Sequence, residues 1–371
     1  MTLRFLLVFC LYLLCATAQA AQTPQPGFKT LGVWEPVKGI RLDFAVWYPT
    51  TRSPFKLDYG DWVFSAARGG APLPGRHPLV LLSHDSPGSR FSLHALAGKL
   101  ARNGFVVAAP THAGDNLNDM SMLYTGTQLI GRAEQLRAAL DILLQNPATE
   151  PLIDSQRIGV LGVGPGGTAA LMLAGARLDP EGWNGYCAGR TEDPYCSRWV
   201  EPRMDALAAT PHLDASFRDR RIRTAAAVSP SYGMLLTRTA LSRIRIPILL
   251  LHAEKAILDP PSLSESVRTA FPVPPAYATL PNASAVTLTS PCGNGTLAQT
   301  LPELCRPVPE RTAVQTGLAE KAVEFFLSEL GTPNPPPLPP EPGDTPELES
   351  QTAAPASGTP KRKEERNTKR N

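Results

Sequence analysis

The fold class that the sequence predicts is α/β, with a mostly parallel sheet covered by helices on both faces. Short apolar runs that suit buried strands alternate with stretches whose apolar residues recur at helical spacing. The 371 residues are 43% hydrophobic and 19% charged, which is enough for one large core. The net charge of +3 is too small to indicate a nucleic-acid partner.

The elements follow in order along the chain. Residues 42–48 alternate between apolar and other side chains, which predicts a half-buried strand, and the Pro-, Gly- and Arg-rich residues 50–77 predict an irregular excursion. Apolar runs then predict buried strands, and apolar residues three or four apart predict helices. The strands are 79–82, 105–109, 158–161, 224–228 and 246–251, and the helices are 93–102, 129–144, 168–173 and a last one that ends before Gly331.

Residues 1–20 have the pattern of a secretory signal peptide. An early arginine precedes an apolar stretch, and Ala18-Gln19-Ala20 places small residues where a signal peptidase would cut, before Ala21. Because the apolar stretch is too short to span a bilayer permanently, we expect no transmembrane span in the mature chain. The protein is therefore predicted to be exported, either periplasmic or secreted.

The opposite end, residues 333–371, is rich in proline, lacks aromatic residues and ends in a basic run. Such a composition cannot bury enough apolar area to form a core, which predicts a disordered tail. The folded domain is therefore expected over residues 21–332. Within it, the polar residues 178–222 interrupt the alternation of strands and helices, and they predict a cap-like insertion over the carboxyl edge of the sheet.

Four cysteines remain after the predicted cleavage, and an even number in an oxidising compartment predicts two disulfides. Spacing favours the local pairs Cys187–Cys196 and Cys292–Cys305, although four cysteines allow three connectivities. Free buried thiols are the alternative. Metal ligation is less favoured, because the sequence has no C-x-x-C motif and no histidine near these cysteines.

Several stretches together resemble the α/β-hydrolase superfamily, specifically exported esterases similar to dienelactone hydrolases and platelet-activating-factor acetylhydrolases. Their order and spacing cover most of residues 35–330. The stretches are FAVWYP (44–49), HPLVLLSHDSPGSR (77–90), GFVVAAPTHAGD (104–115), IGVLGVGPGG (158–167), IPILLLHAEKAILDPP (246–261), LPNASAVTLTSPC (280–292) and AVEFFLSEL (322–330).

The resemblance implies the α/β-hydrolase fold and a triad in the chain order Ser, Asp, His. In this sequence the serine position holds Gly164, the acid position holds Ala256 and the histidine position holds Ala285. The loss of the base does not depend on alignment, because the last of the six histidines is His252. All three triad positions are therefore predicted to be vacated.

The oxyanion hole is predicted to be damaged as well. In this fold the residue after the nucleophile donates a backbone N–H, but here that residue is Pro165, which has none. The second oxyanion segment reads Ser83-His84-Asp85, and a carboxylate there would repel a developing oxyanion. Losing the triad costs about a million-fold in rate, and losing one oxyanion donor costs about 3 kcal/mol. The sequence thus predicts a pseudoenzyme with no catalytic residues.

Binding is the function that this interpretation leaves. Ligands of open α/β sheets bind outside the carboxyl ends of the strands, which predicts a pocket at that edge. We expect a small lipid- or ester-like ligand there, or a periplasmic or envelope protein that docks on the insertion or the tail. No cofactor and no metal is predicted, because the histidines and carboxylates at this edge lack metal-ligand spacing. The predicted pocket residues are Asp85, Ser86, His112, Val163, Gly164 and His252.

Two alternatives stay open. Ser86 follows a predicted strand and could serve an atypical serine esterase or lipase as a non-standard nucleophile, although no motif places a base beside it. The second alternative is a cell-envelope interaction protein that works through its C-terminal tail. Among the remaining polar residues, Asp115 and Asp141 are expected to be solvated at the surface, and Ser229 and Ser231 are expected to be turn residues.

Overall fold

The computed structural model describes residues 23–34 and 39–331. The predicted signal peptide, residues 1–20, and the predicted tail, residues 333–371, lie outside these ranges and stay predictions. Ten strands occur in the described part of the chain. They are β1 (Gln25–Trp34), β2 (Arg41–Thr50), β3 (Phe55–Asp58), β4 (Val63–Arg68), β5 (His77–Ser83), β6 (Val106–Pro110), β7 (Ile153–Val163), β8 (Ile222–Val228), β9 (Ile248–Ala253) and β10 (Ala276–Leu280).

The strands form one mixed sheet in the order β10-β9-β8-β7-β5-β6-β2-β1-β4-β3. Neighbours from β10 to β6 pair in parallel, whereas β2 runs antiparallel to both β6 and β1. The parallel strands carry apolar side chains on both faces, as at Leu79 and Val80, because helices cover both sides. The predicted mostly parallel sheet is confirmed.

The helices divide between the two faces of the sheet. Side chains of α2 and α3 belong to one buried cluster, and side chains of α1 and α10 belong to the other. The helices of the described residues are α1 (His94–Arg102), α2 (Gly126–Gln145), α3 (Pro165–Ala174), α4 (Glu201–Ala208), α5 (Arg238–Leu241), α6 (Pro261–Ala270), α7 (Ala285–Leu288), α8 (Thr296–Thr300), α9 (Pro302–Cys305) and α10 (Arg311–Leu330). None of them is long and apolar enough to cross a membrane.

The prediction of an irregular excursion over residues 50–77 is wrong. This segment contains β3 and β4, which pair with each other, and β4 also pairs with β1. The pairing is stabilised by an aromatic cluster in which Phe64 packs on Phe28 and Trp47. The two strands are too short for an alternating pattern to show them in the sequence among the Pro and Gly residues. Packing contacts stabilise them, and a local pattern does not report such contacts.

Both local disulfides are present, joining Cys187 to Cys196 and Cys292 to Cys305. The first lies within residues 178–222, which form α4 and two short 3-10 turns. This segment contacts the carboxyl edge of the sheet through Tyr195, whose buried hydroxyl accepts a hydrogen bond from the backbone N–H of Tyr232 at 2.9 Å. Tyr232 follows the carboxyl end of β8, so the segment lies at the edge where the emptied site is expected.

Candidate functional site

The turn between β7 and α3 keeps a conformation that suits a nucleophile but carries no side chain. Gly164 has φ 57° and ψ −125°, a left-handed region that glycine adopts without a Cβ penalty. The helix begins at Pro165, three residues earlier than predicted, because proline is favoured in the first helical turn. Its ring nitrogen has no hydrogen to donate to an oxyanion. The turn therefore has neither a nucleophile nor this backbone donor.

Asp85 occupies the space that a side chain at position 164 would need. An ideal Cβ atom built on Gly164 lies 2.1 Å from Oδ1 of Asp85 and 3.3 Å from Oγ of Ser231. The first distance is well inside van der Waals contact, so any side chain at position 164 would displace the carboxylate. Oδ1 of Asp85 is fixed by the backbone N–H of Ser86 at 2.8 Å. Burial raises the pKa of Asp85, although the Ser86 N–H and the Arg132 charge act in the opposite direction.

A buried ion pair holds the loop that carries Asp85. Nε of Arg132 lies 2.6 Å from Oδ2 of Asp115, and each of these side chains is 1% exposed. The same guanidinium donates to the carbonyl oxygen of His84 and, at 3.1 Å, to Oγ of Ser86. Arg132 therefore joins the end of β5 and the Asp85 loop to the loop after β6, which is separate from them in the sequence.

The expectation that Asp115 is a solvated surface residue is wrong. The loop after β6 folds under the Asp85 loop, where the Arg132 charge and hydrogen bonds offset the cost of burying a carboxylate.

Sequence reasoning also missed Arg132 and Gln128. The signal was present, because Arg132 stands between Leu129 and Leu136 at helical spacing, on the stripe of α2 that faces the core. Asp141 is about half exposed, as expected, and pairs with Arg221.

Ser86 is held by charged and amide groups, and no hydrogen bond joins its hydroxyl to an imidazole among the described residues. Its Oγ donates to Oδ1 of Asp115 at 2.5 Å and accepts from Arg132 and from Nε2 of Gln128 at 3.2 Å. Burial alone would raise the pKa of Asp115, but the Arg132 charge and the hydrogen bonds from Arg132, Ser86 and Gln128 outweigh burial and hold that pKa below its ordinary value. Such a weak base does not activate a serine hydroxyl.

The two histidines nearest this loop are held in a buried hydrogen-bond chain. His112 donates from Nδ1 to Oε1 of Gln135 at 3.1 Å and accepts at Nε2 from the Ser83 hydroxyl at 2.8 Å. His84 accepts the backbone N–H of His112 at its Nε2 atom. Burial lowers the pKa of His84 to about 3 and lowers the pKa of His112 well below its ordinary value. Both rings are therefore neutral at physiological pH.

His252 forms a separate buried pair at the end of β9. Its Nδ1 atom lies 3.1 Å from Oδ2 of Asp259, and both side chains are nearly inaccessible to solvent. Burial raises the pKa of Asp259, against the opposing effect of hydrogen bonds from His252 and Ser229. Ser229 also accepts the backbone N–H of Ala253 at its Oγ atom, 2.8 Å away. This pair has no hydrogen bond to Ser86 or Asp85 within the described chain.

Ala256 and Ala285, which the sequence predicts at the acid and base positions, lie on two neighbouring loops. Ala256 follows β9, and its loop is joined to the next by a hydrogen bond from the backbone N–H of Lys255 to the carbonyl of Ala283, at 2.7 Å. Ala285 is the first residue of α7, which Ser284 caps through its side chain. Neither alanine offers a titratable group.

Of the six residues predicted to line a pocket, Asp85 and Ser86 are partly exposed, whereas His112, Val163, Gly164 and His252 are buried. None of the six lines the cleft of about 260 Å³ or the larger cavities of about 620 and 500 Å³, although the lining of the 500 Å³ cavity includes Gln135, which bonds His112. No cluster of three or more potential metal ligands occurs within residues 23–34 and 39–331. The lining of the smaller cleft, called here the Pro87 cleft, is Pro87, Val286, Thr300, Leu301, Pro302, Glu303 and Leu304.

The chain is similar to solved hydrolases. A ferulic acid esterase from Streptomyces cinnamoneus matches with a TM-score of 0.56 and 21% identity, over 88% of this chain and 95% of its own. A dienelactone hydrolase from Anabaena variabilis matches with a TM-score of 0.48 and 17% identity, over 82% of this chain and 99% of its own. No protein-family model and no curated protein matches the sequence. The likeness to the esterase confirms the α/β-hydrolase fold, and at this identity it shows the fold alone.

Proposed function

We propose that this chain is a catalytically inactive protein of the α/β-hydrolase fold, a pseudo-esterase that acts by binding. The observation that carries the proposal is the Oδ1 atom of Asp85, 2.1 Å from the point where a side chain at position 164 would begin. A nucleophile at that point requires the Asp85 loop to move. Because Arg132 holds the loop through a buried ion pair with Asp115, that movement costs free energy.

The acid and the base support the same proposal. Ala256 and Ala285 carry no group that can take or hold a proton, and no histidine follows His252 in the sequence. Loss of a complete triad lowers kcat by about a million-fold, and the residual rate depends on binding and the oxyanion hole. Pro165 removes one donor of that hole. Restoring activity thus requires several simultaneous changes.

Binding at the emptied site remains as the function. The partly exposed Asp85 and Ser86 and the apolar Pro87 cleft support a small lipid- or ester-like ligand. A periplasmic or envelope protein that docks on the insertion, residues 178–222, is the other form of the proposal. The two disulfides favour an oxidising compartment and so support export to the periplasm or the medium.

The alternative of an atypical esterase that uses Ser86 has less support. The contacts of its Oγ atom are Asp115, Arg132 and Gln128, and the low pKa of the Asp115 carboxylate makes it a poor base. The alternative that depends on residues 333–371 falls outside the described part of the chain and stays a prediction.

Covalent labelling of the purified protein by a fluorophosphonate probe tests the proposal. We expect no label under conditions that fully label an active serine esterase, because Ser86 has no hydrogen bond to an imidazole and Ser83, which bonds His112, is fully buried beside a histidine whose pKa burial lowers. A Ser86→Ala variant is the matched control. Labelling of the wild type that disappears in Ser86→Ala would overturn the proposal and identify Ser86 as the nucleophile.

A further inference from the structure

We propose that the amino edge of the sheet binds the surface of an anionic phospholipid bilayer, with arginines on the phosphate groups and the side chain of Val273 in the apolar layer beneath them. This edge lies opposite the carboxyl edge, where Asp85 and Gly164 follow their strands. The inference therefore goes beyond the proposed function and does not depend on it. Two features carry it, a convergence of arginines and an apolar groove that shares one of them.

Arginines from three separate segments meet at the amino edge. Arg218 precedes β8 and Arg243 precedes β9, and because these parallel strands are neighbours, the two turns lie side by side. The third segment follows α3, which returns to this edge and is capped by Gly175. An ideal Cβ atom on Gly175 lies 3.4 Å from Cδ of Arg218 and 3.4 Å from the carbonyl oxygen of Arg243. Arg177 directly follows this cap, so the three arginines surround the end of one helix.

Three arginines of this edge have no carboxylate partner. Within residues 23–34 and 39–331, no carboxylate forms an ion pair with Arg177, Arg243 or Arg245. Arg245 donates to two backbone carbonyls, and Nε of Arg177 is buried without a hydrogen-bond partner. Arg221, in the turn before β8, differs from them because two aspartates bond its guanidinium. The negative end of α3 supplies only about half an elementary charge, so the edge stays positive.

The cations of this edge are arginines, and the sequence has no lysine between Lys99 and Lys255. A guanidinium is a planar fork that binds phosphate oxygens in pairs, and it loses its weakly held hydration more readily than an ammonium does. A partner that presents an array of phosphate groups can therefore bond several of these side chains at once.

An apolar groove of about 620 Å³ adjoins the arginines on the side of β10. Its lining includes Arg245 together with Val273, which is 66% exposed, and Tyr277, which is 39% exposed. Val273 precedes β10, and because β8, β9 and β10 are parallel, it lies at the same edge as the arginine turns. The other charged residues of the lining belong to α10 and are Lys321, Glu324 and Glu329.

An exposed valine beside guanidinium groups favours a bilayer over other polyanions. An anionic bilayer offers phosphate groups and, directly beneath them, an apolar layer that can bury the Val273 side chain. The Tyr277 ring suits the boundary between the two, since one end of it is apolar and the other polar. A nucleic acid or an acidic polysaccharide would bond the arginines but leave Val273 exposed.

Co-sedimentation of the full chain with vesicles tests the inference. Vesicles of phosphatidylglycerol and phosphatidylcholine should bind the protein at least about 25-fold more strongly than phosphatidylcholine alone, and about 1 M NaCl should remove the difference. Arg243→Gln with Arg245→Gln should lower the partition coefficient about fivefold per arginine. Arg243→Gln alone, in an exposed turn, provides the test if the double variant folds poorly.

Arg52→Gln with Arg68→Gln is the matched control. It removes the same charge from two exposed residues near β3 and β4, at the other end of the sheet, and should change binding less than about twofold. The basic run at 361–370 is unchanged in every variant, so differences among them report the folded domain. Equal losses in the two double variants, or equal binding to both kinds of vesicle, would overturn the inference.

Val273→Ser tests the apolar contact. It should lower binding to the anionic vesicles about tenfold, the effect of burying one valine side chain less. Ile257→Ser should bind as wild type, because Ile257 is 75% exposed but follows β9 at the carboxyl edge. Binding that dextran sulfate competes away and that Val273→Ser leaves unchanged would identify a general polyanion site and overturn the assignment to a bilayer.

Discussion

At position 164 the side chain is a single hydrogen atom, and the carboxylate of Asp85 takes up the space that a Cβ atom would need. The backbone keeps its left-handed conformation at little cost, because glycine has no Cβ. The two residues therefore act as a pair: the side chain of one fits only because the other has none. This pairing can be measured.

A double-mutant cycle of Gly164→Ser and Asp85→Gly tests the shared space. Gly164→Ser alone should be strongly destabilising, through the clash with Asp85 and the strained backbone. The backbone strain of Gly164→Ser is the same whether residue 85 is Asp or Gly, so the cycle isolates the clash between the serine side chain and Asp85. We expect a coupling free energy of about 1–3 kcal/mol from denaturant unfolding of the four chains. Effects that add within about 0.5 kcal/mol would show that Asp85 does not occupy the space.

The stability of Asp85→Asn should depend on pH in a defined direction. Burial raises the pKa of Asp85 above its unfolded value, so ionisation destabilises the folded chain as the pH rises above about 4. The variant should therefore have a higher Tm than wild type at pH 7, and the difference should vanish near pH 3, where the carboxyl is protonated in both states. Thermal scans across this range provide the measurement; a variant that is less stable at neutral pH contradicts the assigned environment.

Arg132→Met should cost about 3–5 kcal/mol of folding free energy, because it leaves the buried Asp115 carboxylate without its partner. Arg268→Met is the matched control, since its pair with Glu265 is exposed and should contribute at most about 1 kcal/mol. Adding Asp115→Leu to Arg132→Met should recover part of the loss. Chemical denaturation distinguishes these cases, and equal costs for Arg132→Met and Arg268→Met would argue against a buried ion pair.

Among the elements, the parallel strands and long helices were predictable and the short ones were not. Runs such as Leu79–Leu82 are apolar on both faces because both faces are covered, and that makes them visible in the sequence. β3 and β4 are stabilised by packing of Phe64 on Phe28 and Trp47, which sequence periodicity does not report. Asp115 was misjudged for the same reason, because its burial depends on a distant arginine on α2.

The Cys292–Cys305 loop is predicted to hold the β3–β4 hairpin in place. Asp61 lies between the two strands. Its side-chain Oδ1 accepts the backbone N–H of Leu297 at 2.6 Å, and its backbone carbonyl accepts that of Gly293 at 2.7 Å. A Cys292→Ser, Cys305→Ser variant should lose about 3 kcal/mol of stability and expose the hairpin amides to hydrogen exchange. The Cys187→Ser, Cys196→Ser variant should leave the hairpin protected. Equal exchange in both variants would show that the loop does not support the hairpin.

For the whole molecule, the sequence predicts the frame better than it predicts the site. The α/β-hydrolase fold follows from ordered motifs, and the same motifs predict the vacated positions, while the positions of the six histidines exclude a histidine after residue 252. What sequence reasoning missed is that Asp85 fills the space beside Gly164. Asp85, Arg132 and Asp115 come from three separate segments, and their arrangement exists only once β5, β6 and α2 are packed together.

The central claim is that this hydrolase frame does not turn over esters. Hydrolysis of p-nitrophenyl butyrate, measured separately for the purified wild type and for the purified Gly164→Ser variant, tests it most directly. We predict that both chains remain at the rate of the buffer, because Ala256 and Ala285, at the proposed acid and base positions, offer no titratable group and Pro165 has no backbone N–H. Turnover by the wild type that saturates with substrate, as in an active esterase, would contradict the claim.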